Sequence, residues 1–386
     1  MSIFEELFGE DREVRHFREV FRKFVAKEIT PYVDEWEKNR SVPREIWRKL
    51  GSQGFLCPWL PEEYGGMGLD FRYSVVINQE LVRGNALDVD VPYHSDVAVP
   101  YLYYFGSEEL KRRLLPKTTT GEAICCLAIT EPNAGSDAAA IRTKAVKDGN
   151  QYVINGQKTF ISLGMSADII VVACKMVSGP QEGKVTLLVV EGESLSSVHR
   201  RQLEKMGRHG QDTAELFFED CVVPETNLLG EEGRGFRYIM EKFTQERLEV
   251  CVKSLALAEE CFKEALKYAR VREAFGRPIG NFQYLSFKLA DMATEVELGR
   301  TLVRALVEDF IKGKDIATRV AMAKSWLAEM ANRIAYEAVQ IHGGYGYMAE
   351  YRISRLYQDV RCLPIMGGTT EIMKLIVARR LGLNPM

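Results

Sequence analysis

The sequence lacks a long apolar run and an excess of charge of one sign. No stretch approaches the length of a membrane-spanning helix, so we expect no integral membrane segment. The 51 Lys and Arg nearly balance the 54 Asp and Glu, for a formal net charge of -3 at pH 7. We therefore expect no binding to nucleic acid or to an anionic membrane through a basic patch. The segment Met1–Glu6 has no basic region followed by an apolar one, so we expect no signal peptide.

Cysteine is present but has no pattern. Only Cys125 and Cys126 of the eight cysteines lie close together, and most of the others lie among apolar residues. Adjacent cysteines rarely bridge or chelate a metal without further ligands. We therefore expect buried, reduced thiols, no disulfide framework and no metal site. Reduced thiols indicate a reducing compartment, hence a cytoplasmic location.

The chain is too long for one simple core, and its hydrophobic pattern changes twice. Apolar residues recur at helical spacing from about residue 3 to 115, and again from about residue 236 to the end. Between them lie short β-branched or aromatic runs, separated by Gly, Asn and Asp. These runs follow one another without intervening helices, which favours an antiparallel barrel or sandwich over a parallel sheet. The predicted strands are 151–155, 168–173, 185–190 and 214–218, and the predicted long helices are 236–269, 283–312 and 315–341.

Three segments have residues suited to holding a ligand, and each has a simpler interpretation. Ala128–Asp137 offers the Gly135 and Ser136 backbone N–H groups and a hydroxyl to a flavin or phosphate, or it is a surface turn. Gln340–Tyr347 has glycines that let a backbone approach a ligand, or it is a helix C-cap and turn. No strand precedes it, so it is not a Rossmann fingerprint. Val271–Gly276 places an arginine beside an aromatic ring, suited to a pyrophosphate or to a helix dipole.

Together these segments make the chain resemble the acyl-CoA dehydrogenase family over nearly its full length. Ala128–Ala140 matches one family signature and Gln340–Asp359 matches the other, and Lys205–Gly207 and Asp212–Ala214 add to the match. The resemblance implies an α+β subunit with an N-terminal helical domain (1–125), a central antiparallel β-barrel (126–233) and a C-terminal four-helix bundle (234–386). It also implies one FAD per subunit, a homotetramer, an acyl-CoA substrate and an electron-transferring flavoprotein as acceptor.

Matching positions imply the cofactor and substrate contacts. The residues that would line the isoalloxazine and ribityl chain are Ile129, Thr130, Gly135, Ser136, Phe160 and Ser162. The residues that would contact the FAD of a neighbouring subunit are Arg272, Phe275, Gln283, Gln340, Gly343 and Gly344, and Thr369 would also bind cofactor. The residues that would contact substrate are Ser136, Tyr93, His94, Arg247, Gly367 and Gly368.

The resemblance also identifies a catalytic base. The family reaction removes an α-proton and a β-hydride from an acyl thioester, and a carboxylate in a dry site suits the proton. Many relatives carry a Glu just before a Gly-Thr pair, but Gly367 occupies that position here. The isovaleryl and long-chain types place the Glu on the long helix that opens the C-terminal domain, where this sequence has Glu246. We expect Glu246 to be the base, the alternative being a surface helix glutamate.

The family's acyl pocket is lined by the helix near residues 88–105. Asp90, Tyr93 or His94, and Val97 fall on one face at helical spacing. A carboxylate beside an alkyl chain is costly to desolvate, which favours a short, branched or cyclic acyl group, such as cyclohexane- or cyclohexene-carboxyl. Asp90 is then a candidate second base, able to support a 1,4-elimination, or only a helix-start residue before Pro92.

Two other functions compete with the dehydrogenase. An acyl-CoA oxidase would pass its electrons to oxygen, but oxidases of the peroxisomal type generally have a longer C-terminal region. A catalytically silent flavin- or CoA-binding scaffold would account for the missing base at Gly367, although the residue at 246 argues against it.

Overall fold

The computed structural model describes residues 6–384. Met1–Glu5, which carry most of the argument about a signal peptide, lie outside the described residues. The α-helices before the sheet are α1 Arg12–Phe24, α2 Val33–Asn39, α3 Arg44–Ser52, α4 Phe71–Arg83, α5 Val99–Phe105 and α6 Glu108–Thr120. Two π-helical segments, Val25–Ile29 and Tyr93–Ala98, follow α1 and precede α5.

The strands come next, and then long helices. The strands of the central sheet are β1 Cys125–Ala128, β2 Lys144–Asp148, β3 Gln151–Ser162, β4 Ile169–Met176, β5 Val185–Glu191, β6 Val198–Gln202, β7 Thr213–Pro224 and β8 Leu228–Leu229. The remaining elements are α7 Gly235–Val271, the short hairpin β9 Glu273–Ala274 and β10 Arg277–Pro278, α8 Gln283–Ile311, α9 Ala317–His342, α10 Arg352–Val360 and α11 Thr370–Arg380. The order of helices, sheet and helices confirms the predicted fold class.

The central strands are buried on both faces, because the sheet lies between two layers of helices. In β4, Ile170 and Val172 join a core shared with α1 and α3, whereas Ile169 and Val171 join one shared with α5 and α6. This alternation follows from the two-residue period of a strand. A strand covered on both sides reads as a continuous apolar run, as β4 does.

The sheet is mixed, and its strand path is open, which refines the expected antiparallel barrel. The path runs β6-β7-β3-β2-β4-β5-β8, and β1 pairs with β4 off this path. Most neighbours are antiparallel, but β1 and β2 both run parallel to β4. Fifteen residues (129–143) connect β1 to β2. This connection is long enough for both strands to run parallel to β4.

Helix α7 connects the layers. It has 37 residues, with no proline and no glycine after Gly235, so nothing in its sequence interrupts it. It packs against α9 and α8 within the C-terminal helices and against α4 of the N-terminal helices. Its apolar residues, including Leu248, Val252 and Leu255, lie in the core that all these helices share.

A buried cluster of charges joins α1 to α4. The Arg18 guanidinium is 1% exposed and donates to the Glu80 carboxylate at 3.0 Å, to the Gln79 side chain and to the Leu7 carbonyl. Arg22 and Arg83 also contact Glu80. Such a cluster is stable only while its charges stay paired.

None of the helices in the described part of the chain combines the length and the apolarity needed to cross a bilayer. All eight cysteines, which lie within the described residues, are free thiols, and every one except Cys362 is buried.

Replacing Arg18 with Met should destabilise the protein by about 3 kcal/mol, because it leaves Glu80 buried with fewer partners. We expect the thermal denaturation midpoint to fall by several degrees. The matched control is Arg304→Met, which removes solvent-exposed ion pairs to Glu10 and Glu308 and should change stability by less than about 1 kcal/mol. Equal midpoints for the two variants would contradict this role.

Candidate active site

Glu246 lies on α7 three turns from its start, partly buried among charged and aromatic side chains. Burial raises the pKa of its carboxyl to about 7, and the nearby Glu249 carboxylate acts in the same direction. Arg247, Lys324 and Lys253 oppose that rise through their positive charges. A carboxyl with a pKa near neutrality is a stronger base than an ordinary glutamate and is still substantially ionised at pH 7.

The Glu246 carboxylate lies beside the glycine pair that replaces the common base. A Cβ atom built on Gly367 would lie 3.7 Å from Glu246 Oε1. Gly367 and Gly368 have φ of 64° and 93°, a left-handed conformation that favours glycine. The Lys324 ammonium donates to the Gly368 carbonyl at 2.5 Å, and Arg247 Nε donates to the Gly367 carbonyl at 3.4 Å. The loop is therefore held by one cation from α7 and one from α9.

The first predicted flavin segment folds against β3. Thr130 and Thr159 pair through their backbones, and the Thr130 hydroxyl donates to the Thr159 carbonyl. Next to them, Phe160 lies at a β-bulge with φ of 60° and is 71% exposed. An exposed aromatic ring in a sparsely populated backbone conformation is typical of a ligand platform. The first group of predicted residues, Ile129, Thr130, Phe160 and Ser162, therefore lies on adjacent segments.

Glu131 secures the backbone of this segment. Its carboxylate accepts from Lys158 Nζ at 2.8 Å and from the backbone N–H groups of Arg142 and Thr143. Lys158 also donates to the Ile129 carbonyl. Gly135 and Ser136 are exposed at the tip of the loop, and no atom lies within 4 Å of a Cβ built on Gly135. The loop offers open backbone next to Phe160, which fits a bound flavin.

The second group of predicted residues surrounds the end of α9. Arg272, Gly343 and Gly344 line one cavity of about 520 Å³, together with Tyr268, Tyr345 and His342, whose ring stacks on Tyr268. The Arg272 side chain is exposed, and no atom lies within 4 Å of a Cβ built on either glycine. An exposed cation beside open backbone fits a pyrophosphate.

Other members of this group are exposed on the same surface. Phe275 is 96% exposed with φ of 51° and packs edge-on against Phe282. Gln283 and Gln340 are exposed at the start of α8 and on the last turns of α9. Thr369 is placed elsewhere, as the N-cap of α11, where its hydroxyl accepts from the Ile372 N–H at 3.3 Å.

Asp90, the predicted second base, lies in a buried ion-pair cluster, which argues against that role. Its carboxylate is 1% exposed and contacts Arg208 at 3.0 Å, Lys253 at 3.2 Å and the Gln211 amide. Burial works against its charge, but the two cations hold the pKa of Asp90 below its ordinary value. Asp90 does begin a helix, as the alternative interpretation expects, because its carbonyl accepts from the Tyr93 and His94 N–H groups; its φ is 47° after a short 3-10 turn. Its oxygens are occupied by ion pairs, which argues against a contact with substrate.

The surroundings of His94 also argue against its predicted contact with substrate. The His94 ring is completely buried; its Nδ1 accepts from the Cys125 N–H at 3.0 Å and its Nε2 donates to the Thr118 carbonyl at 3.1 Å. Burial lowers its pKa to about 4, so the ring is neutral and has no free nitrogen. The Tyr93 hydroxyl pairs with the Leu127 backbone, two residues before Ile129, and burial raises the pKa of this phenol.

Several groups beside Glu246 were not singled out from the sequence. The Tyr101 ring is buried, and its hydroxyl has no hydrogen-bond partner among residues 6–384. Lys324 is fully buried, and burial lowers its pKa to about 8. Glu249 and Lys253 lie on the same face of α7 as Glu246. Lys324 could have been identified from the sequence, because it interrupts an otherwise apolar face of α9.

Comparisons with known proteins cover nearly the whole chain. Family models match in three parts: the acyl-CoA dehydrogenase N-terminal domain at residues 11–122, the middle domain at 126–221 and the C-terminal domain at 233–382. The long-chain specific acyl-CoA dehydrogenase, mitochondrial, of Sus scrofa is 39% identical over 97% of this chain and 87% of that protein.

Two solved structures extend the comparison. The acyl-CoA dehydrogenase of Geobacillus kaustophilus is 50% identical, with a TM-score of 0.94 over 99% of this chain and 100% of that one. A chain in the structure of the electron transferring flavoprotein of Acidaminococcus fermentans is 34% identical, with a TM-score of 0.90 over 99% of each chain.

Replacing Asp90 with Asn should cost about 3 kcal/mol of stability, because Lys253 and Arg208 then lose their shared counter-charge. The order of preference among acyl thioesters should not change. Asp34→Asn, which removes only an exposed ion pair with Arg355, is the matched control and should leave the denaturation midpoint within about a degree. Unchanged stability together with a new substrate preference or double-bond position would show that Asp90 contacts substrate.

Proposed function

This chain belongs to the acyl-CoA dehydrogenase family, and we propose that it oxidises a compact acyl-CoA thioester with Glu246 as the base that removes the α-proton. Like the rest of its family it is an FAD-dependent oxidoreductase that acts on acyl-CoA. The observation that carries the proposal is the position of the Glu246 carboxylate, 3.7 Å from the Cβ that a side chain at 367 would have. The carboxylate on α7 thus lies in the space into which the common base would extend from position 367.

The residues around Glu246 support the proton step. Burial raises its pKa to about 7, which matches the base to the weak acidity of an α-proton at neutral pH. Lys324 and Arg247 hold the glycine loop, and their charges keep a fraction of the carboxyl ionised. FAD, when bound, accepts the β-hydrogen as a hydride, which is chemistry that the cofactor supplies.

Two surfaces support the proposed cofactor contacts and assembly. The loop with Thr130, Gly135 and Ser136 and the exposed ring of Phe160 would hold the flavin of the same subunit. The cavity with Arg272, Gly343 and Gly344 would hold the pyrophosphate of a neighbour's FAD. Large apolar side chains are exposed on α8 and α9, namely Tyr284, Phe287, Leu298 and Tyr336. Exposed apolar patches of this kind mark interfaces, which supports a homotetramer.

We propose that the chain has three domains, at the predicted divisions 1–125, 126–233 and 234–386. An electron-transferring flavoprotein is the proposed acceptor, supported by a similar chain in a structure of that description. Free thiols at all eight cysteine positions, every one within the described residues, support a reducing, cytoplasmic location.

The proposed substrate is a short, branched or cyclic acyl group. Bulky or charged side chains surround the base: Tyr93 and Tyr101 on one side, and Glu249 and Lys253 further along α7. A long alkyl chain in the same place would have to displace these packed side chains, which favours a compact acyl group. Because Asp90 is committed to ion pairs, a 1,4-elimination has no second base and a 1,2-elimination is favoured.

Replacing Glu246 with Gln should leave FAD bound but slow its reduction by acyl-CoA by at least about a thousandfold, because no carboxylate remains to take the proton. Anaerobic stopped-flow bleaching of the flavin measures this. Glu241→Gln, an exposed glutamate of the same helix, is the control and should react normally.

A second variant separates the loss of a base from local damage. Adding Gly367→Glu to Glu246→Gln should restore bleaching at least tenfold, since the Cβ of the new side chain would lie 3.7 Å from the position of the old carboxylate. The left-handed backbone at Gly367 limits the recovery. Normal bleaching in Glu246→Gln alone would refute the proposal.

A panel of thioesters tests the proposed substrate class. Short, branched and cyclic acyl-CoAs should bleach the wild-type flavin at least tenfold faster, as kcat/KM, than straight chains of twelve or more carbons. Aerobic repeats of the assay distinguish a dehydrogenase, whose flavin stays reduced, from an oxidase. Fastest bleaching by a long straight chain would overturn the compact-pocket proposal and leave the base assignment intact.

A further inference from the structure

Glu246 begins a row of buried charged side chains along one face of α7. Glu249 and Lys253 follow it at i+3 and i+7, the spacing that keeps residues on one helix face. Both are almost fully buried, at 3% and 1% exposure, and Lys253 Nζ lies 2.8 Å from Glu249 Oε1. The pair lies one and two turns beyond the base, about 4.5 and 10.5 Å along the helix axis.

Other elements hold this pair in place. Asn78 of α4 donates its side-chain amide to Glu249 at 2.9 Å. Lys253 reaches Asp90 at 3.2 Å, and Asp90 contacts Arg208, which lies between β6 and β7. The Glu249 carboxylate and the Lys253 ammonium are therefore tied to three separate segments. Unlike a surface i,i+4 pair, they cannot move into solvent.

The charges of this row balance. Glu249 and Asp90 carry two negative charges, and Lys253 and Arg208 carry two positive ones. Asp96, which also lies near Glu249, accepts from the Ser74 hydroxyl at 2.7 Å, and burial raises its pKa to about 8, so it is neutral at pH 7. The other charged or titratable groups that act on Glu246 are Arg247 beside it, Lys324 of α9, and Tyr101 and Tyr93 from the α5 side.

We propose that Glu249 and Lys253 are positioning residues for the reaction: as a buried ion pair they set the electrostatic field in which Glu246 takes the proton from substrate. This inference rests on the proposed role of Glu246. Glu249, the nearer group, makes a negative charge on Glu246 less favourable and so makes it a stronger base. Lys253 opposes that effect and favours the ionised base.

The two members of the pair should therefore act in opposite directions. Removing the Glu249 charge favours the ionised form of Glu246 and lowers its pKa. Removing the Lys253 charge leaves Glu249 uncompensated and raises the pKa of Glu246. A residue that only stabilises the fold would not shift the pH dependence in opposite directions when each half of one pair is removed.

The test is the pH profile of kcat/KM for flavin reduction in the intact holoenzyme, with a short acyl-CoA as the probe. The rate should rise with pH as Glu246 ionises. We call this rise the acid limb of the profile, and its midpoint should lie near pH 7 in the wild type. Glu249→Gln should move this limb down by about one pH unit. Lys253→Met should move it up by several tenths of a unit, the double variant should return it close to the wild-type position, and Lys253→Arg should restore it.

Lys263→Met is the matched control, because it breaks another Glu–Lys pair of α7, with Glu260, far from Glu246. Its pH limb should stay at the wild-type position. Flavin content and the denaturation midpoint report whether each variant folds. If Lys253→Met does not fold, Glu249→Gln decides, since it keeps the shape of the side chain: a lowered limb supports the inference and an unmoved limb overturns it.

The outcome is separable from that of the proposed function. An unmoved limb in Glu249→Gln, with Glu246→Gln still inactive, refutes only the role of the pair. Activity in Glu246→Gln refutes the base itself.

Discussion

The structure depends on one constraint, the placing of a carboxylate in a partly dry site next to two adjacent glycines, Gly367 and Gly368. Glu246 can act only if the space in front of it is open, and Gly367 and Gly368 leave that space open. Both glycines have a left-handed backbone, which favours residues without a Cβ. A side chain at 367 would begin 3.7 Å from the carboxylate. Lys324 and Arg247 hold the loop in position and limit how far burial raises the pKa of the base.

The architecture supplies this site from several layers. Helix α7 is long enough to contact α4 and α5 at one side and α9 at the other, so a residue on it can meet groups from both helical regions. The sheet contributes the flavin platform, where a β-bulge exposes Phe160, and the loop that carries Arg208. Because buried charges are costly unless they are paired, the row from Glu249 to Arg208 ties these layers to one arrangement. Stability and chemistry thus share the same contacts.

Local patterns in the sequence predict the helices well and the charged strands poorly. The helices predicted at 236–269 and 283–312 are found at Gly235–Val271 and Gln283–Ile311, because long amphipathic periods with few breakers leave little choice. The strands β2 and β6 were not predicted, since Lys144–Asp148 and Val198–Gln202 are charged segments with little apolar alternation, and β6 lies at the edge of the sheet, where charge is favourable. In the site, the glycine at 367 indicates Glu246, whereas the buried contacts of Asp90 and His94 were not foreseen from the sequence. The partners that occupy them are remote in sequence, as with Lys253, 163 residues from Asp90, and such pairing cannot be read from spacing.

The central claim is that Glu246 itself removes the α-proton, and proton exchange measures that step apart from hydride transfer. An acyl-CoA with no β-hydrogen would be mixed with the oxidised holoenzyme in D₂O, and loss of the α-proton signal followed by NMR. We expect wild-type enzyme to exchange the α-proton, and Glu246→Gln, with full FAD content, to exchange it no faster than buffer. Exchange at the wild-type rate in that variant would contradict the account and place the base elsewhere.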